Sequence, residues 1–457
     1  MKCVCSDCVN DMALKAIIDG EGVNWATCAY CPSGKWGVPI DEVTNRINEV
    51  IRNFYTEVNL DPGWDAQYGY GSGRKLDDLL GDWLNQDHGN LLPDVRASLA
   101  DRWRDPSGFD STYREDPHFA RLPRGRTGSM LAEWCKMLSK AAMETRYFNP
   151  EVKSHLDKVF SAILDDQTVD KSGLITTVGP GHAITYVYRA RVFEDAEQVS
   201  GALAHPEREL GPPPLGEASA GRMNAKGLSM FYGASSEAVA LAEVRPPVGS
   251  YVLVGKFHFF RELRLLDFCK FKHVDLPKSF SMFSAFASIE SQRHSFLAGM
   301  EDLIAQPVMP NNVDRSYLAT QLVSDYLAAS EPLNIDGIRF KSAQFGGSDD
   351  DYNVVLFVKS SVVAYANNTS KLKPSGGWVS FWFEKEGDDE EFRPDISCER
   401  SAYPPSESVA VTKHTGSVRK VSLFLDRDNV SIKTVKAVEI RCDSIQVRSN
   451  YLDGKPS

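Results

Sequence analysis

The stretch Gly221–Val244, GRMNAKGLSMFYGASSEAVALAEV, concentrates the chemically useful side chains of this chain. It places an arginine, a tyrosine and a glutamate at near-regular spacing, as Arg222, Tyr232 and Glu243. The spacing alone leaves two interpretations open. Tyr232 can be a core residue and Glu243 a solvated helix residue, with one serine of GASSEA as the N-cap. Alternatively, the three side chains share a functional site.

A second block of residues lies downstream. Its runs are Thr320-Gln321, Asp336-Gly337-Ile338-Arg339-Phe340-Lys341-Ser342, Gly346-Gly347 and Asn353-Val354-Val355-Leu356-Phe357. In this order the two blocks resemble the RES domain family, named for its Arg, Glu and Ser. The family signature is similar to GRWNxxG…YxA…A…E, followed by TQ…DGIxYxS…GG…NVVLF. The first-block residues in register are Arg222, Asn224, Gly227, Tyr232, Ala234, Ala240 and Glu243.

The resemblance covers residues 180–365, with Met223 where the family often has Trp or Phe. It implies a mixed α/β domain similar in fold to ADP-ribosyltransferases. It also implies an enzyme that consumes NAD⁺ as a substrate, by phosphorolysis or by hydrolysis. The family positions that carry the chemistry correspond here to Arg222, Tyr232, Glu243 and Ser342, and Arg189 of the YRAR run is a further NAD⁺-binding candidate alongside Arg222 and Tyr232.

The residue types suit that chemistry. Cleaving the nicotinamide–ribose bond builds positive charge on the anomeric carbon, which the carboxylate of Glu243 can stabilise. Arg222 offers a planar fork for the pyrophosphate or for an attacking phosphate. Tyr232 can stack on the nicotinamide ring, and Ser342 can orient Glu243 or a ribose hydroxyl. No GxGxxG run follows a predicted strand, so we expect no Rossmann site.

The nine cysteines are unevenly distributed, and five of them lie within the first 31 residues. Cys5-x₂-Cys8 and Cys28-x₂-Cys31 form two pairs whose spacing is typical of a four-thiolate zinc site. Cys3 could replace Cys5 only with poorer turn geometry, and buried or redox-active cysteines are the alternative interpretation. Four thiolates leave no open coordination position, so the predicted zinc is structural.

The amino-terminal part resembles the HEPN-like domain often fused ahead of RES domains. The resemblance rests on the CxxC…CxYC start and on the later runs Glu133-Trp134 and Arg146-Tyr147-Phe148. HEPN ribonucleases typically carry an arginine and a histidine separated by four to six residues. Arg114 and His118 have only three residues between them, so we expect no ribonuclease activity.

These patterns predict an α+β multidomain protein. We expect a zinc knuckle over residues 1–40, a helical HEPN-like domain over 41–160, an RES domain over 161–365 and a β-rich extension over 366–457. The elements predicted by periodicity are helices at Ile40–Tyr55, Lys75–Leu84, Leu131–Arg146 and Tyr317–Ser330, and strands at Thr185–Phe193, Tyr251–Phe260, Asn353–Val358, Trp378–Phe383, Val421–Leu425 and Val435–Arg441.

Charge and hydropathy narrow the function classes. The net charge of −11 argues against a protein that coats nucleic acid, and the sequence has no apolar run long enough to span a membrane. The first residues carry acids and cysteines where a signal peptide needs an apolar core, so we expect a cytoplasmic protein.

Three functional hypotheses follow. The first is a toxin or bacterial defence effector that depletes NAD⁺, the second an ADP-ribosyltransferase acting on a macromolecule, and the third a zinc-containing scaffold with an inactive RES domain. Expected partners are NAD⁺, inorganic phosphate and an antitoxin or regulatory protein. The sequence does not decide between a monomer and a homo-oligomer.

Overall fold

The structure of the chain is a computed structural model. It describes residues 2–21, 26–58, 73–87, 89–103, 113, 117–121, 128–144, 149–203, 205–275, 280–284, 287–305, 313–345, 350–364, 377–386, 389–398, 411–414 and 417–439. Two compact units form, one from residues 1–176 with 266–333 and the other from 177–265 with 334–457. Residues 266–333, assigned to the RES domain by sequence, thus fold within the first unit. The domain boundaries at 40, 160 and 365 stay a proposal.

The helices are α1 Met12–Glu21, α2 Ile40–Phe54, α3 Leu76–Trp83, α4 Leu91–Arg102, α5 Gly128–Met143, α6 Pro150–Phe160, α7 Ala196–Leu203, α8 Pro206–Glu209, α9 Glu237–Val244, α10 Ala287–Ala305 and α11 Val313–Ala329. The strands are β1 Cys3–Val4, β2 Ala26–Thr27, β3 Trp36–Pro39, β4 Tyr55–Val58, β5 Arg74–Lys75, β6 His118–Arg121, β7 Ile175–Val178, β8 Tyr186–Phe193, β9 Phe231–Ala234, β10 Tyr251–Phe259, β11 Leu263–Asp267, β12 Gly337–Lys341, β13 Tyr352–Leu356, β14 Gly377–Glu386, β15 Asp389–Cys398, β16 Val411–His414, β17 Ser417–Lys420 and β18 Leu423–Thr434.

The first unit is mainly helical and is built around one amphipathic helix, α2. Its buried side chains Val43, Ile47 and Ile51 recur at helical spacing and pack with residues of α1, α3 and α4 in one core. The helix ends at Phe54 rather than at the predicted Tyr55, because Tyr55 begins β4 and pairs with Arg121 of β6. The predicted helices around 75–84 and 131–146 are also confirmed, although Arg146 and Arg114 lie outside the described residues.

The second unit is organised by an eight-stranded sheet in the order β18-β10-β8-β9-β13-β12-β11-β7. Strands β8, β10 and β13 confirm the predicted β-branched and aromatic runs. Helix α9 covers one sheet face, where Ala190, Ala234, Val252 and Val254 pack with Val239 and Ala240 of the helix. The other face contains a larger apolar cluster that includes Phe231 and Phe257. Both the helices and the sheet confirm a mixed α/β fold.

The carboxy-terminal segment supplies an edge strand to this sheet. Strand β18 pairs antiparallel with β10, from Phe259 opposite Leu423 to Tyr251 opposite Thr434. The predicted strand Val435–Arg441 is wrong over 435–439: β18 ends at Thr434 opposite Tyr251, and beyond it only Val435, among the described residues, exchanges backbone hydrogen bonds with Gly249 and Ser250. The predicted β14 run pairs with β15 as a hairpin. Within the described ranges no helix is long and apolar enough to cross a membrane.

Candidate active site

Helix α9 presents Glu243 on its exposed side. Ser236 is the N-cap, and its hydroxyl accepts a hydrogen bond of 3.2 Å from the backbone N–H of Val239. Val239 and Ala240 are buried against the sheet, whereas Glu243 is exposed near the last turn. The capped helix therefore fixes the backbone of a solvent-accessible carboxylate next to the sheet.

Two donors hold that carboxylate through one oxygen atom. Ser342 Oγ donates to Glu243 Oε1 over 2.6 Å, and Asn353 Nδ2 donates to the same oxygen over 2.7 Å. Ser342 is 9% exposed and Asn353 6% exposed. Hydrogen bonds to an ionised oxygen are among the strongest in proteins, so two of them determine the orientation of the carboxylate plane.

The hydroxyl of Ser342 is itself fixed by a tight turn after β12. The backbone N–H groups of Gln344 and Phe345 both donate to Ser342 Oγ, each over 3.3 Å. Because these amides occupy the acceptor side of the hydroxyl, its proton is directed to Glu243. The serine thus links the turn after β12 to helix α9.

Tyr232 organises the loop that contains Arg222. Its hydroxyl donates to Asn224 Oδ1 over 2.6 Å and accepts from the backbone N–H of Met223 over 3.1 Å. The side chain of Asn224 is 3% exposed and donates to the carbonyls of Ser219, Ala225 and Leu228. The tyrosine is therefore a structural support of the loop, in addition to any contact it makes with a ligand.

A glycine keeps this arrangement close-packed. A Cβ atom at Gly221 would lie 2.4 Å from Asn224 Oδ1 and 2.8 Å from the hydroxyl of Tyr232, which is too close for any side chain. Arg222 is the next residue in the sequence, and its side chain is half-buried. Met223, which follows it, is fully buried. The position where the family often has Trp or Phe is thus a buried one in this chain.

Arg189 is placed differently. It lies on β8 with its guanidinium carbon 5.0 Å from the ring centroid of Phe231. The preceding residue, Tyr188, pairs with Ala234 of β9, so both side chains lie on the same face of the sheet. Tyr232 is two residues before Ala234 and lies on that face as well, because side chains alternate along a strand. Arg189 therefore projects to the sheet face opposite Tyr232. The structure brings Glu243 and Ser342 together and links Tyr232 to the Arg222 loop, but it does not place Arg189 beside them.

Asn353 is a site residue to which the sequence analysis gave no role. It faces Ala234 across the β9–β13 pair, on the sheet face covered by α9. The available signal was a single amide at the start of an otherwise apolar run, NVVLF. A buried amide needs hydrogen-bond partners, and in this structure the partner is Glu243.

The four predicted cysteines cluster in the first unit. Sγ–Sγ distances are 3.8 Å for Cys5–Cys8, 3.3 Å for Cys5–Cys31 and 3.5 Å for Cys8–Cys28, and all four sulfurs lie within 4.8 Å of one another. A tetrahedral site with zinc–sulfur bonds of about 2.3 Å separates its sulfurs by about 3.8 Å. The backbone N–H of Tyr30 also donates to Cys28 Sγ over 3.4 Å, as expected for a thiolate ligand. The donor set therefore fits a metal ion, and Cys3 is outside it.

The thiols of this cluster experience different environments. Burial raises the pKa of the Cys8 thiol. Burial also acts to raise the pKa of Cys31, but hydrogen bonds involving Ser33 and the neighbouring thiols outweigh it and lower this pKa to about 6. A thiol that ionises readily at neutral pH is suited to begin metal binding.

A second group of polar side chains, which the sequence analysis did not identify, is buried in the first unit. Arg293 is 2% exposed and forms an ion pair with Asp166, and its Nη1 lies 3.0 Å from Glu290 Oε1. His294 Nε2 lies 3.2 Å from Glu290 Oε1 and 3.6 Å from Asp166 Oδ1. Because the guanidinium of Arg293 and the imidazole of His294 face two carboxylates, this group is a buried ion-pair network.

The second unit is therefore a mixed α/β domain that contains an exposed, doubly hydrogen-bonded glutamate and an arginine loop supported by Tyr232. Residues 187–371 match the model of the RES domain family, which supports assignment of this region to that family. Comparisons with curated proteins and with solved structures give no match. The match lies outside the amino-terminal region, so the HEPN-like domain stays a prediction. The likeness to the ADP-ribosyltransferase fold also stays a prediction, because no solved structure matches.

Proposed function

We propose that this protein is an RES-type enzyme that cleaves the nicotinamide–ribose bond of NAD⁺. The observation that carries the proposal is the Glu243 carboxylate, held by Ser342 and Asn353 within a region that matches the RES domain family. The second supporting feature is the loop of Arg222, whose conformation is fixed through Tyr232 and Asn224. These are the Arg, Tyr, Glu and Ser positions that the resemblance predicts.

In the proposed reaction the bond between C1′ of the ribose and N1 of the nicotinamide breaks. Its electron pair leaves with nicotinamide, which becomes neutral, and positive charge builds on C1′. The oriented carboxylate of Glu243 stabilises that charge without reorganising, which is the most effective form of electrostatic catalysis. The two hydrogen bonds to Oε1 keep the carboxylate in this orientation and leave its second oxygen to face the ribose.

The acceptor oxygen then forms a bond to C1′. Phosphate as the dianion attacks directly and gives ADP-ribose phosphate, whereas water must also release a proton to a base or to solvent. Arg222 provides a guanidinium for the pyrophosphate of NAD⁺ or for the attacking phosphate. The residues of the site are compatible with phosphate and with water as the acceptor. Phosphate needs no residue to act as a base, whereas water does unless its proton passes to solvent.

Incubation of the full-length protein with NAD⁺, with and without inorganic phosphate, tests the proposal by mass spectrometry. ADP-ribose phosphate indicates phosphorolysis, and free ADP-ribose in both conditions indicates hydrolysis. Incorporation of the adenine-bearing part of NAD⁺ into a macromolecule would instead establish the transferase. Unchanged NAD⁺ in every condition would contradict the proposal and favour a scaffold with an inactive RES domain.

The biological role proposed with this activity is a cytoplasmic toxin or defence effector that depletes NAD⁺ and is held by an antitoxin or regulatory protein. The support is the match to the RES domain family together with the resemblance that predicts such partners. The cysteine cluster is proposed to hold a structural Zn²⁺, because its four sulfurs leave no open ligand position.

A further inference from the structure

The residue that ends helix α9 has an unusual backbone conformation. Arg245 has φ 45° and ψ 58°, in the left-handed region where glycine is strongly favoured. Its backbone N–H bonds to the carbonyl of Ala242, so the conformation is part of the helix cap. The next residue is Pro246, which restricts the preceding backbone further. An arginine at this position is therefore strained, and glycine would relieve the strain.

Backbone strain of this kind is concentrated at functional sites, where the surrounding structure holds it in place. Arg245 lies two residues after Glu243 and, like it, is exposed. Its Nε donates to Gln344 Oε1 over 3.0 Å, and Gln344 belongs to the turn whose amides bond Ser342. The same turn thus orients both the carboxylate of Glu243 and the guanidinium of Arg245.

The hydrogen bond to Gln344 uses Nε of the Arg245 guanidinium. The two terminal nitrogens, Nη1 and Nη2, are left to donate to another group. In the part of the chain that the structure describes, no carboxylate lies within ion-pair distance of Arg245. A fixed guanidinium with an open fork next to a candidate catalytic carboxylate is the geometry that binds phosphate groups bidentately.

We propose that Arg245 is an anion-binding residue of the active site that takes a phosphate group. This inference rests on the proposed function for the source of that group, which is either the pyrophosphate of NAD⁺ or the free phosphate acceptor. The protein carries a net charge of −11, so an anionic ligand depends on local cations. Arg245 supplies such a cation on the catalytic helix, in addition to Arg222 on its loop.

The test compares Arg245→Gly with the wild-type full-length protein. Glycine relieves the strain, so the midpoint of thermal unfolding should stay the same or rise by about 2–4 °C. Loss of the guanidinium should nevertheless weaken binding of inorganic phosphate or inorganic pyrophosphate by about 10- to 100-fold in calorimetric titrations. Arg245→Lys keeps the charge without the fork and should fall between the two. A residue with only a capping role would show the stabilisation and no change in binding.

Lys171→Gly is the matched control. Lys171 is also an exposed cation with a positive φ of 67°, but it belongs to the first unit and pairs with Asp275. Its substitution by glycine should relieve strain without changing anion binding. Equal effects of the two substitutions on anion binding would overturn the proposal.

Steady-state kinetics distinguish the two sources of phosphate. A higher KM for NAD⁺ at saturating phosphate, together with weaker pyrophosphate binding, assigns Arg245 to the pyrophosphate. A higher KM for phosphate at saturating NAD⁺ assigns it to the acceptor. Unchanged anion binding and unchanged KM values in Arg245→Gly would overturn the proposal. If the protein does not cleave NAD⁺, the titrations still decide: loss of anion binding in Arg245→Gly supports the anion site, and no anion binding by the wild type contradicts it.

Discussion

At the scale of single residues, the site depends on how one carboxylate oxygen is held. Glu243 Oε1 receives hydrogen bonds from Ser342 and from Asn353, which belong to different parts of the sheet. A glutamate on an exposed helix surface would otherwise sample several rotamers. The two donors select one of them before a substrate arrives, so the cost of orientation is met during folding.

Replacement of either donor should reduce catalysis more than substrate binding. We expect Ser342→Ala and Asn353→Ala each to lower kcat for nicotinamide release by about 10- to 100-fold, because each removes a hydrogen bond to a charged group. KM for NAD⁺ should change little, since neither donor is predicted to contact the dinucleotide phosphates. Steady-state kinetics of purified variants measure both constants.

Ser431→Ala is the matched control for these two variants. Ser431 donates over 2.9 Å to Glu237 Oε1 at the other end of the same helix, so the variant also removes a serine–glutamate hydrogen bond from α9. Its kcat should equal that of the wild type. An equal loss of kcat in this control would show that general destabilisation of α9, and not orientation of Glu243, explains the effect.

At the scale of elements, we expect the knuckle of β1, β2 and β3 to depend on a metal ion. It is a three-stranded sheet of very short strands, and its cysteines share one core with α1 and α2. We expect Cys8→Ser to abolish binding of one zinc equivalent per chain and to lower the unfolding midpoint of the first unit. Metal analysis by mass spectrometry and thermal unfolding measure these effects.

The control is Cys135→Ser, because Cys135 is an exposed thiol on α5, outside the cluster. It should retain both the zinc and the unfolding midpoint. A wild-type protein purified without zinc, and insensitive to chelators, would contradict the metal assignment.

The ion-pair network of α10 predicts how the stability of the first unit depends on pH. Burial opposes a charge on His294, yet its contacts with the carboxylates of Asp166 and Glu290 outweigh burial and raise the pKa of His294. Burial likewise acts to raise the pKa of Asp166, but hydrogen bonds from His294 and Arg293 lower it, and the His294 bond lowers the pKa of Glu290. The two carboxylates therefore favour the charged form of His294, and His294 favours the charged form of each carboxylate.

The raised pKa of His294 stabilises the folded state fully below the unfolded value of about 6.5, and this contribution is lost as pH rises through the folded pKa. The lowered pKa values of the acids stabilise it above their unfolded values of about 4, and this contribution is lost as pH falls. The contribution of this network to the free energy of unfolding should therefore be largest at about pH 4.5–6.5. Urea unfolding across pH measures the profile.

His294→Asn should remove the decline on the alkaline side of that maximum. His182→Asn, which changes a half-exposed histidine of the second unit, should keep the wild-type profile. An unchanged alkaline decline in His294→Asn would show that another group is responsible.

Sequence periodicity predicted the elements of this protein better than their partners. Ile40–Tyr55 has apolar residues at helical spacing, and Tyr251–Phe260 is rich in β-branched and aromatic residues. Each forms the predicted element and ends one residue earlier, at Phe54 and at Phe259. Helix α10 was not predicted, because Arg293 and His294 are buried on it and disrupt its apolar period. The pairing of β18 with β10 could not be inferred either, since nothing local in β18 specifies a partner so distant in sequence.

The same limit applies to the candidate site. The resemblance predicted Arg222, Tyr232, Glu243 and Ser342, and the structure shows Ser342 bonded to Glu243. The roles of Asn353 and Arg245 depend on a hydrogen bond across strands and on one backbone angle. A hydrogen bond between strands and a single backbone angle leave no periodic pattern in the sequence. Both could be recognised only in the three-dimensional structure.

At the scale of the whole molecule, two compact units divide the chemistry. The first contains the cysteine cluster and the ion-pair network, and the second contains the Glu243 site and the greater part of the region that matches the RES domain family. Because the net charge is −11, we expect the proposed site to bind its anionic substrate through local cations, with Arg222 and Arg245 as the candidates. The proposed enzyme thus acts on an anionic dinucleotide through local rather than overall charge.

Nicotinamide release from NAD⁺ by the full-length protein and by Glu243→Gln tests the central claim most directly. Glutamine keeps the shape of the side chain and removes its charge, so the fold should remain and release should fall by at least about 100-fold. Circular dichroism of both proteins checks the fold. Release by the wild type that is lost in Glu243→Gln is the predicted result, and no release by the wild type, or equal release by both proteins, would contradict the account.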